Sequence, residues 1–349
     1  MSRLLHERGD RVPTESLLPA ALGVGLFLVP ALALFFGGTP DRRTAVALVL
    51  GLLAVATLAT LEWLLLGSTL EVSLYQAALS AAGASVVLSI ALRGARLLPV
   101  IAVTLVLAAV GFVPLGFALF DLERGPIVVQ LGTLDFGGVA TLALIPGCVA
   151  AASVLLARRR QAPLQSVPVR PRWLLAASAV AAVIGFASAS LGAQLVFDDL
   201  IGTLVRNAVV AAAAGVVGWT ITQVINVRRA SWAGAAAGVM AGSIAVLAAS
   251  PWLNVVSVVV LALLSGILGH VVAAAVRRGA AGLWATVIGV CLVPGAVGMI
   301  GPGIVASGAG LLLSGHVDLL QAQFVGLLVV LLCATLVSLP LVLLLRRFG

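Results

Sequence analysis

The sequence is poor in charge and contains no lysine. Only 9% of its 349 residues are charged, whereas an ordinary soluble domain has about 25%. Hydrophobic residues make up 62% of the chain, and the mean hydropathy is +1.23. So few polar side chains cannot cover the surface of a water-soluble globule of this length, and that class of protein is excluded.

Cysteine is scarce, and its positions exclude the usual cysteine chemistry. The three cysteines stand singly in apolar runs and lack the spacing of a zinc or redox site: Cys148, Cys291 and Cys333. We therefore predict no disulfide, no metal and no cofactor. The sequence also lacks a recognisable nucleophile–base pair, phosphate loop or ligand cluster, so we predict no enzyme.

Long apolar runs fill most of the chain. About 20 apolar residues suffice for one helix to span a bilayer, and the runs predict about eleven such helices. They lie at residues 17–40, 44–66, 74–92, 97–120, 136–157, 173–196, 200–227, 231–249, 252–276, 280–299 and 319–345. The sequence therefore predicts an all-α polytopic protein of the cell membrane, with the lipid bilayer as its surroundings.

The arginines indicate the orientation of this bundle. Fifteen of them follow the odd-numbered predicted helices: Arg42, Arg43, Arg93, Arg96, Arg158, Arg159, Arg160, Arg170, Arg172, Arg228, Arg229, Arg277, Arg278, Arg346 and Arg347. Because cytoplasmic loops are enriched in basic residues, we predict an external N-terminus and a cytoplasmic C-terminus. The net charge of +8 thus reflects topology, and we predict no nucleic-acid partner.

The domain organisation follows from the longest loop, which contains three prolines. We predict an external tail (1–16) and one membrane domain (17–349). The loop at 158–172 divides this domain into a first half (17–157) and a second half (173–299), and a final helix follows at 319–345. Because the first half has an odd number of helices, a related second half would be inverted, a plan that recurs in transporters.

Several glycine-rich stretches occur in a fixed order between residues 20 and 345. They are Val29–Gly38, Trp63–Leu70, Leu131–Gly138, Ala233–Gly242 with Ser250–Trp252, and Gly282–Thr286. In this order, and with this topology, the chain resembles the ammonium transporter (Amt/Rh) family. The resemblance implies eleven helices, an inverted five-helix repeat and a homotrimer with one pore in each subunit.

The resemblance also assigns residues to a substrate-recruitment vestibule and to a pore gate. The vestibule positions fall on Tyr75, Leu79, Phe120, Asp135 and Ser190, and the gate falls on Phe186. Leu79 stands where the family has Phe, and Phe120 where it has Trp. Cation–π attraction, worth about 0.5–2 kcal/mol, is therefore expected to be weaker here than in the family.

The two pore histidines of the family are expected to be missing. The first lies eight positions after the motif aspartate, where this chain has Ala143, and the second maps to Arg278, six positions before Trp284. Neither residue relays protons as an imidazole does.

Simpler roles remain open for three of these residues. Asp135 could cap the N-terminus of the fifth predicted helix. Tyr75 could be an aromatic anchor at the membrane interface. Ser190 lies in a run of small residues that is typical of close helix packing.

The predicted function is that of an ammonium transporter or ammonia channel that moves ammonium, ammonia or a similar small solute. The alternatives are a non-conducting sensor or trimer subunit, and a channel for another small neutral solute. After the last arginines the sequence stops at Gly349, without the long cytoplasmic tail of the family. We therefore predict no tail-dependent binding of a nitrogen-signalling protein.

Overall fold

The computed structural model describes residues 17–38, 45–46, 49–50, 53, 57, 70–121, 124–156, 170–194, 197–277 and 282–348. These residues form helices joined by turns and short irregular segments. The helices are α1 (Leu17–Gly37), α2 (Leu70–Gly94), α3 (Leu97–Phe120), α4 (Pro126–Leu131), α5 (Ala140–Leu155), α6 (Arg172–Gln194), α7 (Ile201–Val227), α8 (Trp232–Leu247), α9 (Val255–Arg277), α10 (Gly282–Val305), α11 (Leu311–Ser314) and α12 (Asp318–Phe348).

The predicted helices recur in the structure, apart from the second, at 44–66, which lies mostly outside the described residues. Eight helices of the described part are long and apolar enough to cross a membrane, and α5 and α8 are shorter apolar helices. The all-α membrane fold is thus confirmed. The short helices α4 and α11 were not predicted, and α10 continues to Val305, beyond the predicted end at residue 299.

Four helices contain a π turn directly before a proline. In each, the residue before the proline donates its N–H to the carbonyl five residues back: Val29 to Val24, Val113 to Ala108, Ile145 to Ala140, and Val293 to Ile288. Proline has no N–H, and its ring collides with the carbonyl four residues back. The wider π turn relieves that collision, so each helix continues through its proline.

Helices α5 and α10 cross through a reciprocal contact. A β-carbon on Gly147 of α5 would lie 2.7 Å from Leu292 Cβ, and one on Gly295 of α10 would lie 2.7 Å from Leu144 Cδ2. The two segments have the matching sequences Leu144-Ile-Pro-Gly147 and Leu292-Val-Pro-Gly295. The two helices thus contact each other through matching positions of the same short segment.

The remaining helices surround this crossing. Helix α7 packs mainly on α8 and α9, α6 joins α8 to α1, and α12 covers α5 and α10. Glycines let the backbones of α7 and α8 touch, since a β-carbon on Gly238 would lie 2.7 Å from the Gly215 carbonyl oxygen. Because the helices run antiparallel, the starts of α2 and α5 and the ends of α3 and α6 share one end of the bundle, here named the Asp135 end. The opposite end is named the arginine end.

Candidate functional site

Tyr75, near the start of α2, is buried against α6. Its hydroxyl donates a hydrogen bond to the Ala189 carbonyl, and its ring lies against Gly192, where a β-carbon would collide with it. Ser190, between these two contacts along α6, is buried as well. Tyr75 is therefore not an anchor at the membrane interface. It joins α2 to α6 at the Asp135 end, next to Ser190.

Leu79 and Phe120 meet at Gly138, in the segment that leads into α5. Gly138 has a φ of +75°, in the left-handed region that side chains rarely adopt. A β-carbon there would lie 2.7 Å from Phe120 Cζ and 2.8 Å from Leu79 Cδ1. The structure therefore brings the predicted vestibule residues of α2 and α3 together with the start of α5.

Asp135 caps α5 with both carboxylate oxygens. Oδ1 accepts the Val139 N–H at 2.7 Å, and Oδ2 accepts the Ala140 N–H at 2.9 Å. The helix thus begins at Ala140, later than the predicted residue 136, because the cap and Gly138 hold the preceding residues in a turn. The capping role weighed from the sequence is confirmed. The carboxylate also interacts electrostatically with the Tyr75 side chain.

The segment before α5 is fixed from two further helices. Gln323 of α12 accepts the Leu134 N–H and donates to the Leu134 carbonyl, both at 3.0 Å, while the Phe136 N–H donates to the Ala248 carbonyl at 2.9 Å. The sequence analysis did not identify Gln323. The sequence did carry a signal, because an amide side chain within a long apolar helix needs hydrogen-bond partners when it is buried.

Phe186, the predicted gate residue, and Ala143, a predicted pore position, are fully buried in the central core. Arg278 lies outside the described residues, directly after Arg277, the last residue of α9, and before α10 begins at Gly282. Ala143 of α5 and Cys291 of α10 occupy matching positions, because each directly precedes a Leu-x-Pro-Gly segment and each is the fourth residue of a π turn.

Cys291 is a candidate site residue that the sequence analysis missed. It is buried in α10, at the position that corresponds to Ala143 on α5. The repeated Leu-(Ile/Val)-Pro-Gly segment was the signal that could have identified it, and π turns are frequent at functional sites.

Arg170, at the arginine end, is influenced by the charges of two other arginines. The Arg170 guanidinium carbon lies 5.2 Å from the centroid of the Phe35 ring. Burial and the nearby charges of Arg93 and Arg277 lower the pKa of Arg170 to about 10. Arg277 Nη2 donates to Thr286 Oγ1 of α10 at 3.1 Å. The ends of α2 and α9 therefore each place a cation within electrostatic reach of Arg170, which precedes α6.

An apolar cavity of about 530 Å³ lies between α5, α9, α10 and α12. Its lining includes Cys148, Leu261, Leu292, Ile300 and Leu331. None of the predicted vestibule residues is part of this lining. The cavity is therefore separate from the candidate site at the Asp135 end.

Comparison with known families decides the classification of this arrangement. The model of the Ammonium Transporter Family matches residues 67–349. The chain belongs to the ammonium transporter family. No curated protein matches its sequence.

Several solved structures share the fold. Candida albicans Mep2 is 20% identical, with a TM-score of 0.82 over 98% of this chain and 86% of that chain. Saccharomyces cerevisiae Mep2 is 19% identical, with a TM-score of 0.79 over 97% and 86%. A structure described as "Sensor Amt Protein" is 19% identical, with a TM-score of 0.80 over 99% and 95%. At these identities the similarity establishes the fold.

Proposed function

We propose that this ammonium transporter family member is a membrane channel that passes ammonia, or a similar small solute, in neutral form. The strongest support is that five side chains converge at one end of the helix bundle. They are Tyr75, Leu79, Phe120, Asp135 and Ser190. The chemistry at that end favours a cation, whereas the residues deeper in the bundle favour an uncharged solute.

Recruitment at the Asp135 end is electrostatic. Both Asp135 oxygens already accept backbone N–H groups, so the carboxylate attracts an ammonium ion through space and does not ligate it. The Phe120 ring, half-buried beside Gly138, offers its face to a cation for about 0.5–1 kcal/mol. Leu79 adds shape without charge. The recruited ion is held weakly, which suits a site that must release its solute.

Passage through the centre favours a neutral molecule. Ala143, Phe186 and Cys291 are all buried in the apolar core, and an ion in such surroundings costs many kcal/mol. Neither Ala143 nor Cys291 provides an imidazole to relay protons. Ammonium therefore releases its proton to the water of the solution at the Asp135 end, and ammonia continues without net charge movement.

The arginine end strengthens this proposal. A cation that leaves there meets the positive charges of Arg93, Arg170 and Arg277, whereas an uncharged molecule meets no electrostatic barrier. We propose the same topology as the sequence predicts, with the arginine end cytoplasmic, together with a homotrimeric assembly in the cell membrane.

A non-conducting role is the second candidate. The similarity to the structure described as "Sensor Amt Protein" favours a sensor or a subunit of a mixed trimer, and so does the alanine at residue 143. In that case the Asp135 end still binds ammonium, but no solute crosses. A channel for another small neutral solute differs from our main proposal only in its substrate.

Transport by purified protein in liposomes tests these functions. An internal pH dye is followed after an ammonium pulse, in proteoliposomes and in protein-free liposomes, because ammonia also crosses lipid. The channel proposal predicts faster internal alkalinisation with protein. Asp135→Asn should reduce the protein-dependent part, whereas Asp198→Asn, an exposed acid that caps the start of α7, should not. Equal rates with and without protein would exclude the channel and favour the sensor.

A further inference from the structure

The apolar cavity between α5, α9, α10 and α12 opens to the side of the helix bundle. One face of α10 forms its floor, because Val293, Ala296 and Ile300 follow one another at about one helical turn and are half-buried. Leu264 of α9 and Thr335 of α12 stand at its walls, and both are exposed. The cavity, about 530 Å³ in volume, is therefore accessible from outside the bundle.

The apolar cavity lies at the depth of the hydrocarbon core of the membrane. Thr335 is close to the middle of α12, and Leu264 is close to the middle of α9. Because a hydrocarbon core about 30 Å thick surrounds the central part of a spanning helix, both side chains lie near the midplane. The solvent that meets the cavity there is lipid.

From the midplane the cavity extends toward the Asp135 end. It continues along α10 to Ile304, one residue before that helix ends. Just beyond the helix, the Ser307 N–H donates to the Trp252 carbonyl. The Trp252 ring in turn packs on Phe136, the neighbour of Asp135, with 5.5 Å between ring centroids. The cavity therefore faces the lipid leaflet at the Asp135 end.

The lining of the cavity suits neither an ion nor water. None of the described residues that line it is charged, and its two polar side chains, Cys148 and Thr335, hydrogen-bond to each other. A buried water needs two to four polar partners, whereas a dry apolar cavity of about 150 Å³ already binds benzene. An uncharged hydrocarbon therefore matches this cavity in charge and in polarity.

The size of the cavity favours a thin hydrocarbon chain over a helix of a second subunit. An α-helix with its side chains is about 10–12 Å wide, so about one turn of it would occupy this volume. Lipid tails are as apolar as leucine, so the hydrophobic effect does not favour the cavity over the bilayer. The gain comes from dispersion contacts with the lining, which an empty cavity lacks.

We propose that the apolar cavity binds one hydrocarbon chain of a membrane lipid from the leaflet at the Asp135 end. Leu292 lines the cavity and also takes part in the crossing of α5 and α10, where it lies against Gly147. Cys291, the candidate site residue of α10, directly precedes Leu292. The bound chain therefore supports, from outside the bundle, the part of α10 that carries Cys291.

Photolabelling of the purified full-length protein in phosphatidylcholine nanodiscs tests the proposal. Two phosphatidylcholine probes, with a diazirine either at the tip of one chain or near its glycerol end, each replace a small part of the lipid. Mass spectrometry then identifies the labelled residues. We expect the tip probe to label Leu264 and Thr335, and the other probe to label Ile304. This labelling should saturate with probe content, whereas that of Leu336, an exposed residue of α12 outside the lining, should rise in proportion to it.

Substitutions that fill the cavity should displace the chain. Ala296→Phe should lower the labelling of Thr335 relative to Leu336 about tenfold, which corresponds to about 1.4 kcal/mol. Ala296→Leu should lower it less, and it keeps the test decisive if the larger side chain prevents folding. Ala275→Phe is the matched control, because it makes the same change at an exposed position of α9 outside the lining. It should leave the ratio unchanged.

Two results would overturn the proposal. Labelling of Thr335 that follows that of Leu336 in every variant would mean that the cavity meets only bulk lipid. Absence of label from the lining with both probes would mean that a second subunit covers the cavity. Because labelling is measured without transport, a failed channel experiment leaves this result independent.

Discussion

The two ends of the bundle treat polar groups in opposite ways. At the Asp135 end, the carboxylate, the Tyr75 hydroxyl and the Gln323 amide all bond to backbone groups of the same chain. At the arginine end, Arg170 has two other arginines as its charged neighbours. The first end is held together by internal hydrogen bonds, whereas like charges lie near one another at the second. Substitutions at the first end should therefore cost more stability than substitutions at the second.

The largest expected effect is that of Asp135→Ala. This change leaves the N–H groups of Val139 and Ala140 without acceptors in a buried place, and we expect a loss of about 2–4 kcal/mol of stability. Asp135→Asn keeps one acceptor oxygen and removes the charge, so it should cost about half as much. Thermal unfolding in detergent measures both. If the two variants unfold at the same temperature as the wild type, Asp135 is not the cap that we describe.

Gly138→Ala should rank next at the same end. The left-handed φ of +75° costs an alanine about 1–2 kcal/mol, and its methyl group would press on Phe120 and Leu79. Gly25→Ala is the control, because a β-carbon there meets no atom within 4 Å. Unfolding temperatures should fall for Gly138→Ala and stay near wild type for the control. A stable Gly138→Ala protein would argue against the described meeting of α2, α3 and the start of α5.

Tyr75→Phe should have a smaller effect. It removes the hydrogen bond to the Ala189 carbonyl while the ring keeps its place against Gly192, so we expect a loss of about 0.5–1.5 kcal/mol. The measurement is again thermal unfolding. An interfacial anchor would instead lose little with phenylalanine, so an unchanged unfolding temperature would contradict the buried position of the hydroxyl.

The smallest effect on stability is expected at the arginine end. Arg170→Gln removes a partly desolvated cation that lies near two others. In phosphatidylcholine nanodiscs, it should change the free energy of unfolding by less than about 0.5 kcal/mol or raise it. Arg96→Gln serves as the control, because it removes an exposed arginine at the same end. A marked loss of stability for Arg170→Gln alone would indicate that an acidic group of the protein already balances the charge of Arg170.

The sequence predicted most of the fold because apolar length alone marks a membrane helix. It placed α3 correctly at both ends, and it placed most of the other helices within a few residues. It missed the start of α5, because the capping turn of Asp135 and Gly138 is as apolar in composition as the helix that follows. It also missed α4 and α11, which are too short for a hydropathy pattern. The π turns could have been anticipated from the repeated Val-Pro and Ile-Pro pairs.

The candidate site was partly predictable for a related reason. The residues of the Asp135 end lie within short motifs, so the resemblance could identify them one by one. The proximity of Arg93 and Arg277 to Arg170 could not be found in this way. Each of these arginines follows a different predicted helix, and the rule that cytoplasmic loops are basic already accounts for it. The pairing of Ala143 with Cys291 likewise depends on a contact between helices far apart in the chain. Cys291 is therefore the residue of α10 that corresponds to Ala143, the predicted first pore position.

Current across a membrane tests the central claim of this account most directly. Proteoliposomes on a solid-supported membrane are exposed to an ammonium pulse, and charge movement is recorded over a range of ammonium concentrations. Because Ala143, Phe186 and Cys291 are buried among apolar residues, and none of the three can relay protons as an imidazole does, we predict no current above that of protein-free liposomes. A saturable current that Asp135→Asn abolishes and Asp198→Asn preserves would contradict neutral passage.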